Sequence, residues 1–222
     1  MGVKMVQSSS ATQATSFAST VTTITDAYQS LISAFQNLAN ASNLKGQGYE
    51  SAKSFINSAA IPAIQYAIVV GSRLQDAVNK IPQNYPGEVD SKDWSEEELN
   101  KLIHQLESQI SSVEKENAEL DNKKDQSSIA TNNSKIDNYH SQIDKYRRIK
   151  EDLLRFNSDS AHYFNGIDSQ ISTLNNMAAK IGSAKSFVGS KPTEMRFVMP
   201  DVQGWNQNVS SAVKKIWCWY RK

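Results

Sequence analysis

The sequence has little cysteine, proline or glycine: one Cys, five Pro and nine Gly in 222 residues. The single cysteine, Cys218, excludes an internal disulfide framework and a multi-cysteine zinc site. Few prolines and glycines leave few places to turn, so we expect long helices. Hydrophobic residues make up 39% of the chain, below the roughly 45–50% of compact globular domains. A thin core along a long chain predicts an elongated, all-α molecule.

Charge of one sign is not concentrated anywhere either, and the net charge is +1. A nucleic-acid-binding protein normally shows a basic face, so we predict no nucleic-acid partner. His104, His140 and His162 lie on different segments, and none has a second histidine one helical turn away. The acidic residues between 90 and 98 lack the spacing of a calcium loop and suit a helix N-terminus. We therefore predict no metal, no cofactor, no catalytic residue and no enzymatic activity.

Long hydrophobic runs are also missing. The N-terminus, MGVKMVQSSS, lacks the apolar stretch of a secretory signal peptide. The longest apolar run, 59–71, is shorter than the about 20 residues of a membrane span and contains Pro62. We expect no stable membrane insertion, and any export would use a route other than Sec.

What the sequence does contain is heptad spacing. The first segment carries apolar residues three and four positions apart: Ala14, Phe17, Val21, Ile24, Tyr28, Leu31, Phe35 and Leu38. This stripe predicts a helix that forms a seam against another helix. The side chains between are Ser, Thr, Gln and Ala, almost without charge, and such a surface is poorly suited to water. We predict that a partner covers part of it, off the stripe, at Thr22, Thr25 and Gln29.

A second heptad pattern runs from about residue 50 to residue 80 and predicts the other helix of a hairpin. Pro62 should kink it. The segment 81–90, with two prolines and a glycine, is expected to end the helix and separate domains. We call it the breaker segment.

A third helix is predicted to begin at Ser95. Ser95 and Glu98 have the spacing of a capping box, and Trp94 and Leu99 that of a hydrophobic staple. The charged, amphipathic residues of 95–157 predict an antiparallel coiled-coil stalk, whose first helix covers 95–123. A further helix follows it.

Between the first two helices lies the sequence Leu44-Lys45-Gly46, followed by Tyr49. Gly46 can adopt backbone conformations that other residues avoid. Leu44 can cover the end of the seam, and Tyr49 can anchor the second helix. A turn of purely structural purpose and a surface recognised by a partner both fit these residues.

Taken together, these features resemble the LXG family, the N-terminal regions of polymorphic toxins exported by the type VII secretion system of Gram-positive bacteria. The resemblance covers nearly the whole chain. It rests on an ordered set of segments: Leu44-Lys45-Gly46, Tyr49 to Lys53, Ile61-Pro62, Ile81 to Tyr85, Asp90 to Glu98, and Phe197 to Pro200 with Trp205.

The resemblance implies an export-targeting module of an antibacterial toxin. It implies a WXG-like hairpin over 1–88, a coiled-coil region over 89–190 and a closing segment over 191–222. A toxin domain would follow residue 222; a piece of a longer toxin and a protein without that domain both stay open. The implied partners are one or two small helical WXG-like proteins and the type VII machinery. The protein would be cytoplasmic before secretion.

Two other functions stay open. One is a membrane-acting helical toxin that inserts residues 59–71, against which the short run and Pro62 count. The other is a cytosolic coiled-coil scaffold, which would form homo-oligomers and would not be exported.

Overall fold

The computed structural model describes residues 2–121, 123–184, 196, 200–205, 207 and 209. Its elements are β1 (Lys4–Met5), α1 (Gln7–Ala39), α2 (Gln47–Phe55), α3 (Ile61–Glu88), β2 (Trp94–Ser95), α4 (Glu96–Glu119), α5 (Gln126–Ser160) and α6 (Ile167–Gly182). A π-helical turn, Ile56–Ala60, joins α2 to α3, and a 3-10 turn, Ala161–Phe164, follows α5. Apart from the short β1–β2 pair, these elements are helical, so the predicted all-α class is confirmed.

The chain forms two compact units. Unit 1 comprises 1–13 and 79–163, and unit 2 comprises 14–78 and 164–222. This division runs through α1 and through α3, whereas the predicted domains were contiguous ranges.

Unit 1 contains the predicted antiparallel hairpin, formed by α4 and α5. Its core joins buried apolar residues of both helices: Leu99, Ile103, Leu106, Ile110, Ile143, Ile149, Leu153 and Phe156. Toward the turn, apolar contacts give way to amides. Asn132, which is buried, donates to Asn117 Oδ1 at 2.9 Å, and Asn117 donates to Asn133 Oδ1 at 3.1 Å. A polar layer of this kind fixes the register of paired helices. The first helix ends at Glu119 rather than at residue 123.

The start of α4 follows the sequence signal. Ser95 Oγ accepts a hydrogen bond from the Glu98 backbone N–H at 3.1 Å. Trp94 and Leu99 are buried in one cluster, as a hydrophobic staple requires. The predicted helix start is confirmed.

The N-terminal residues pair with the segment just before α4, a contact that the sequence did not predict. Met5 pairs with Trp94 in the antiparallel β1–β2 ladder. The backbone N–H of Gln7, at the first residue of α1, donates to Asp93 Oδ1 at 2.9 Å. Asp93 therefore satisfies one of the N–H groups left unpaired at the start of a helix.

The second helix does not end near residue 80, as predicted, because α3 continues through Pro82 and Pro86 and ends at Glu88, inside the breaker segment. Each proline removes a backbone donor, and an interior proline costs about 3 kcal/mol. Between them, Tyr85 is fully buried and meets the Phe156 ring edge-on, with ring centroids 5.4 Å apart. Burying one such side chain stabilises by about 1.5–3 kcal/mol. Packing in the core of unit 1 therefore opposes the effect of the prolines.

Pro62 is accommodated by a change of helix type. The π-helical turn ends just before it, where the Ile61 N–H donates to the Ile56 carbonyl, five residues back. A proline ring clashes with the carbonyl four residues before it, and a wider turn relieves that crowding. The helical run continues into α3 past the position where we predicted a kink.

The core of unit 2 lies between α3, α6 and the segment that contains Trp205. Its buried residues are Ala59, Ala63, Tyr66, Val69, Val70, Met177, Trp205 and Val209. The further helix predicted after the stalk is α6. Within the predicted closing segment, Phe197 to Met199 and Cys218 lie outside the described residues.

Candidate functional site

Helix α1 carries most of the candidate residues, and it contributes little to the core. Of its 33 residues, only Ala14 is buried. Among the seven predicted seam residues, four are half-buried, namely Phe17, Val21, Tyr28 and Phe35. The other three are exposed: Ile24 by 47%, Leu31 by 40% and Leu38 by 43%. The apolar stripe is therefore covered on one side only within the described chain.

The covered side of α1 faces α3. A Cβ placed on Gly71 of α3 would lie 3.5 Å from Val21 Cγ1. The glycine therefore brings the α3 backbone close to α1 at this point. Ala14 and Ile32 lie on the same side of α1 as Val21, as expected from 3.6 residues per turn.

The exposed residues of α1 form a second row with heptad spacing. Ile24, Leu31 and Leu38 recur every seven residues, and exposed Thr20, Ala27 and Ala34 lie between or beside them. We call these six residues the outer seam: Thr20, Ile24, Ala27, Leu31, Ala34 and Leu38. The outer seam is rotated by roughly 110° about the helix axis from the side that carries Val21.

The three predicted partner-binding residues of α1 do not lie on the outer seam. Thr22 and Gln29 are exposed on the far flank, roughly 160–180° around the helix from it. Thr25 is half-buried and points to the covered side. Their role in binding stays a prediction, and the structure adds a second, more apolar surface beside them.

The surface of α1 is almost free of charge, because Asp26 is its one charged residue. Several of its Ser and Thr hydroxyl groups are also bonded within the helix. Six of them donate to the carbonyl four residues back at 2.8–3.0 Å: Thr12, Thr20, Thr22, Thr23, Ser30 and Ser33. An unsatisfied buried donor costs about 1–3 kcal/mol. Because these donors keep their bonds inside the helix, another helix can cover α1 at a low desolvation cost.

The turn between α1 and α2 is organised around the ammonium group of Lys53. Lys53 Nζ donates to the Ala41 carbonyl at 3.1 Å, to the Leu44 carbonyl at 3.0 Å and to Glu50 Oε1 at 3.4 Å. The side chain is only 18% exposed. Cationic side chains commonly satisfy the carbonyls left unpaired where a helix ends. The sequence contained Lys53 in a matching segment but gave no signal for these contacts.

Gly46 supplies the backbone conformation that begins α2. It has φ +112° and ψ +159°, a region that side chains disfavour, and a Cβ there would meet nothing within 4 Å. Glycine is thus needed for its conformation rather than for close packing. Leu44 is half-buried, whereas Lys45 and Tyr49 are exposed, Tyr49 by 50%. The turn presents these two side chains to solvent.

Elsewhere in the described residues, polar groups pair with one another rather than converge on a ligand. No group of three or more His, Cys, Asp or Glu side chains among them is placed to hold a metal ion. On the stalk, Glu107 contacts His104 Nδ1 at 3.2 Å and Arg147 Nη2 at 3.1 Å. The contact between Glu107 and Arg147 is an exposed ion pair of the kind found on solvated helix surfaces.

Two groups with shifted pKa values lie at the start of the stalk. Burial, with the nearby charges of Asp90 and Asp93, raises the pKa of Tyr85 to about 12. Tyr85 Oη donates to the Lys92 carbonyl at 3.2 Å. A hydrogen bond from Trp94 Nε1, at 3.0 Å, lowers the pKa of Asp90. These contacts hold the segment that leads into α4.

Comparison with known families gives a match over most of the chain. A family model described as the LXG domain of the WXG superfamily matches residues 4–194. No curated protein matches the sequence significantly. The matched range includes the outer seam, the turn around Lys53 and the α4–α5 hairpin.

Proposed function

The chain belongs to the LXG-domain family of the WXG superfamily, a type VII-associated targeting module, and we propose that its helix α1 binds a small helical partner protein before export. In this proposal the protein serves an antibacterial toxin of a Gram-positive bacterium. It is cytoplasmic until the type VII system secretes it. The chain itself performs no catalytic step.

The observation that carries this proposal is the exposure of Ile24, Leu31 and Leu38 on one side of α1. Fully burying a Leu or Ile side chain stabilises by about 1.5–3 kcal/mol. Covering the exposed parts of these three residues would therefore contribute roughly 2–4 kcal/mol. Contiguous exposed apolar residues on a soluble protein commonly mark an interaction surface.

The polar residues of α1 support the same conclusion. With Asp26 as the one charge of the helix, a partner does not have to desolvate a row of Lys or Glu side chains. The six Ser and Thr hydroxyls that bond within the helix keep these hydrogen bonds when covered. The surface is thus suited to burial against another helix.

The test is co-purification with the small helical proteins encoded beside this gene. Leu31→Glu places a charge on the outer seam and should lower partner affinity at least tenfold. Gln36→Glu places the same charge on an exposed residue of α1 roughly 160° around the helix from the outer seam, and this matched control should bind like the parent protein. Circular dichroism should show that both variants remain helical with similar melting temperatures.

Two results would contradict the placement of this site. If Leu31→Glu retains the partner, the outer seam is not the binding surface. If Gln29→Glu and Thr22→Glu lose the partner instead, the far flank predicted from the sequence is the site. Secretion of each variant from a type VII-competent cell would show whether partner binding is needed for export.

A second candidate function, membrane insertion, is favoured by one observation. The helical run from Gln47 to Glu88 spans 42 residues and is long and apolar enough to cross a membrane by length and composition. This helical run is longer than the apolar segment 59–71, which by itself is too short to span a membrane. However, 44% of its most apolar window is buried in the protein. Tyr66 and Val70 belong to the core of unit 2, so insertion would have to open that core.

A liposome-leakage assay separates the two functions. The targeting function predicts intact vesicles at protein concentrations that saturate the partner. Leakage at submicromolar protein, abolished by Val70→Asp, would favour insertion.

A further inference from the structure

The outer seam alternates large and small side chains. Ile24, Leu31 and Leu38 are separated by Ala27 and Ala34, and all five are exposed. The distance between packed helix axes, 8–10 Å, depends on the side chains at the contact. Small residues permit the closer spacing, and each large residue then enters a hole on the facing helix.

We propose that a helix of the partner packs at close range in the outer seam, with its large residues over Ala27 and Ala34 and its small residues against Ile24, Leu31 and Leu38. Ala27 and Ala34 are then the positions that determine which partner fits. This inference rests on the proposed function, since it specifies the partner of the same surface.

The charge of the region defines the partner's chemistry further. None of the six outer-seam residues is charged, and Asp26 lies roughly 120° around the helix from them. A Lys or Glu buried at the centre of such a contact would have no partner charge and would cost several kcal/mol. The matching face of the partner is therefore uncharged.

A second copy of this chain is the main competing occupant, because an antiparallel copy could place Ala27 against Leu31. The area of that contact is too small. The outer seam spans residues 20–38, about 28 Å of helix, and with a helix width of about 10 Å its footprint is about 280 Å². A standard interface buries about 800 Å² on each partner.

A partner with two helices covers about twice that footprint, about 560 Å², which is close to the about 600 Å² on each partner at the lower end of specific interfaces. Next to Ala27 and Ala34 lies a flank with Thr23 and Ser30, both exposed. Their hydroxyls already donate to the Ser19 and Asp26 carbonyls at 3.0 and 2.9 Å. A second helix can cover this flank without leaving these donors unsatisfied. We therefore assign the outer seam and this flank to a small helical hairpin.

The decisive variant is the double substitution A27L/A34L. It makes the surface more apolar, so the affinity for the partner would rise if the contact depended on apolar area alone. A close-packed seam would be forced apart, and affinity should fall at least tenfold, because overpacking is destabilising. Leucine is a good helix former, so α1 should remain helical. The control is Gln36→Leu, which adds the same side chain to an exposed residue of α1 roughly 160° around the helix from the outer seam and should leave affinity unchanged.

The measurement is calorimetric titration of the full chain with each purified small helical protein encoded beside this gene. Unchanged or tighter binding by A27L/A34L, with loss in Leu31→Glu, overturns the close-packing inference and leaves the proposed function intact. Binding that survives Leu31→Glu shows that the outer seam is not the binding surface, and binding that survives Leu31→Glu, Gln29→Glu and Thr22→Glu alike contradicts the proposed function itself. Sedimentation of the chain alone should show a monomer; a tight dimer that A27L/A34L disrupts would assign the seam to a second copy and overturn our choice of partner.

Discussion

Helices α1 and α4 both carry apolar residues at heptad spacing, yet the chain treats the two stripes differently. In α4, five apolar residues are buried: Leu99, Ile103, Leu106, Ile110 and Val113. In α1, which is longer, only Ala14 is buried. The surface of α4 carries many Glu and Lys residues, whereas α1 carries Asp26 alone.

The difference shows how a helix that completes its own core can be distinguished from one that awaits a partner. In the stalk, α4 buries its apolar stripe against α5 and exposes a charged surface to water. Helix α1 packs one side of its stripe against α3. Its other side, the outer seam, is apolar and exposed, and lies beside hydroxyl groups that are already hydrogen-bonded within the helix. Exposure and charge, considered together, separate the two cases better than periodicity does.

The difference between the stalk and α1 can be tested most directly by truncating one leucine in each. Leu153→Ala removes a fully buried side chain from the stalk and should lower the free energy of unfolding by about 2–5 kcal/mol. Leu31→Ala removes a side chain that is 40% exposed and should lower it by less, about 1–2 kcal/mol. Urea unfolding monitored by circular dichroism measures both. Equal losses would show that α1 is as closed as the stalk.

The turn at the end of α1 should be the next most sensitive feature. Lys53→Met removes three hydrogen bonds but keeps much of the aliphatic side chain, and hydrogen bonds to charged groups are worth about 1.5–3 kcal/mol. We expect faster amide exchange over residues 41–50 and lower stability. Lys45→Met is the matched control, because Lys45 is exposed. Equal exchange in the two variants would show that Lys53 does not hold the turn.

Sequence reasoning succeeded where the determining contacts are local. The cap at Ser95 and the stripe of the stalk depend on residues a few positions apart, and both were predicted. It failed where a distant contact decides. Tyr85 holds α3 together between two prolines through packing with Phe156, and Lys53 reaches carbonyls 9 and 12 residues back. Periodicity also could not show which side of α1 faces Gly71, and so it could not separate Ile24 and Leu31 from Val21.

The free energy of unfolding of unit 1 should also depend on alkaline pH, through the buried Tyr85. Tyr85 has a folded-state pKa of about 12, above its ordinary value of 10.0. Folding thus favours the protonated phenol: this contribution to stability is complete below pH 10 and is lost as the pH rises toward 12. Tyr85→Phe should lose about 1 kcal/mol at pH 7, because it lacks the hydrogen bond to the Lys92 carbonyl. It should show a shallower loss between pH 10 and 12 in urea unfolding, and parallel curves for the two proteins would contradict the assignment.

The smallest expected effect concerns salt, and it sharpens the contrast in charge. Arg147 and Glu107 pair at 3.1 Å on the exposed face of the stalk, and such a pair contributes about 0–1 kcal/mol. Glu107→Gln should therefore cost at most about 1 kcal/mol at low ionic strength and nothing measurable in 1 M NaCl, where charges are screened beyond about 3 Å.

Partner binding by α1 should behave differently, because the outer seam has no charge to screen. Its affinity, measured by titration in low and high salt, should change by less than about twofold; a steep fall with salt would mean that the charged stalk, rather than α1, makes the contact.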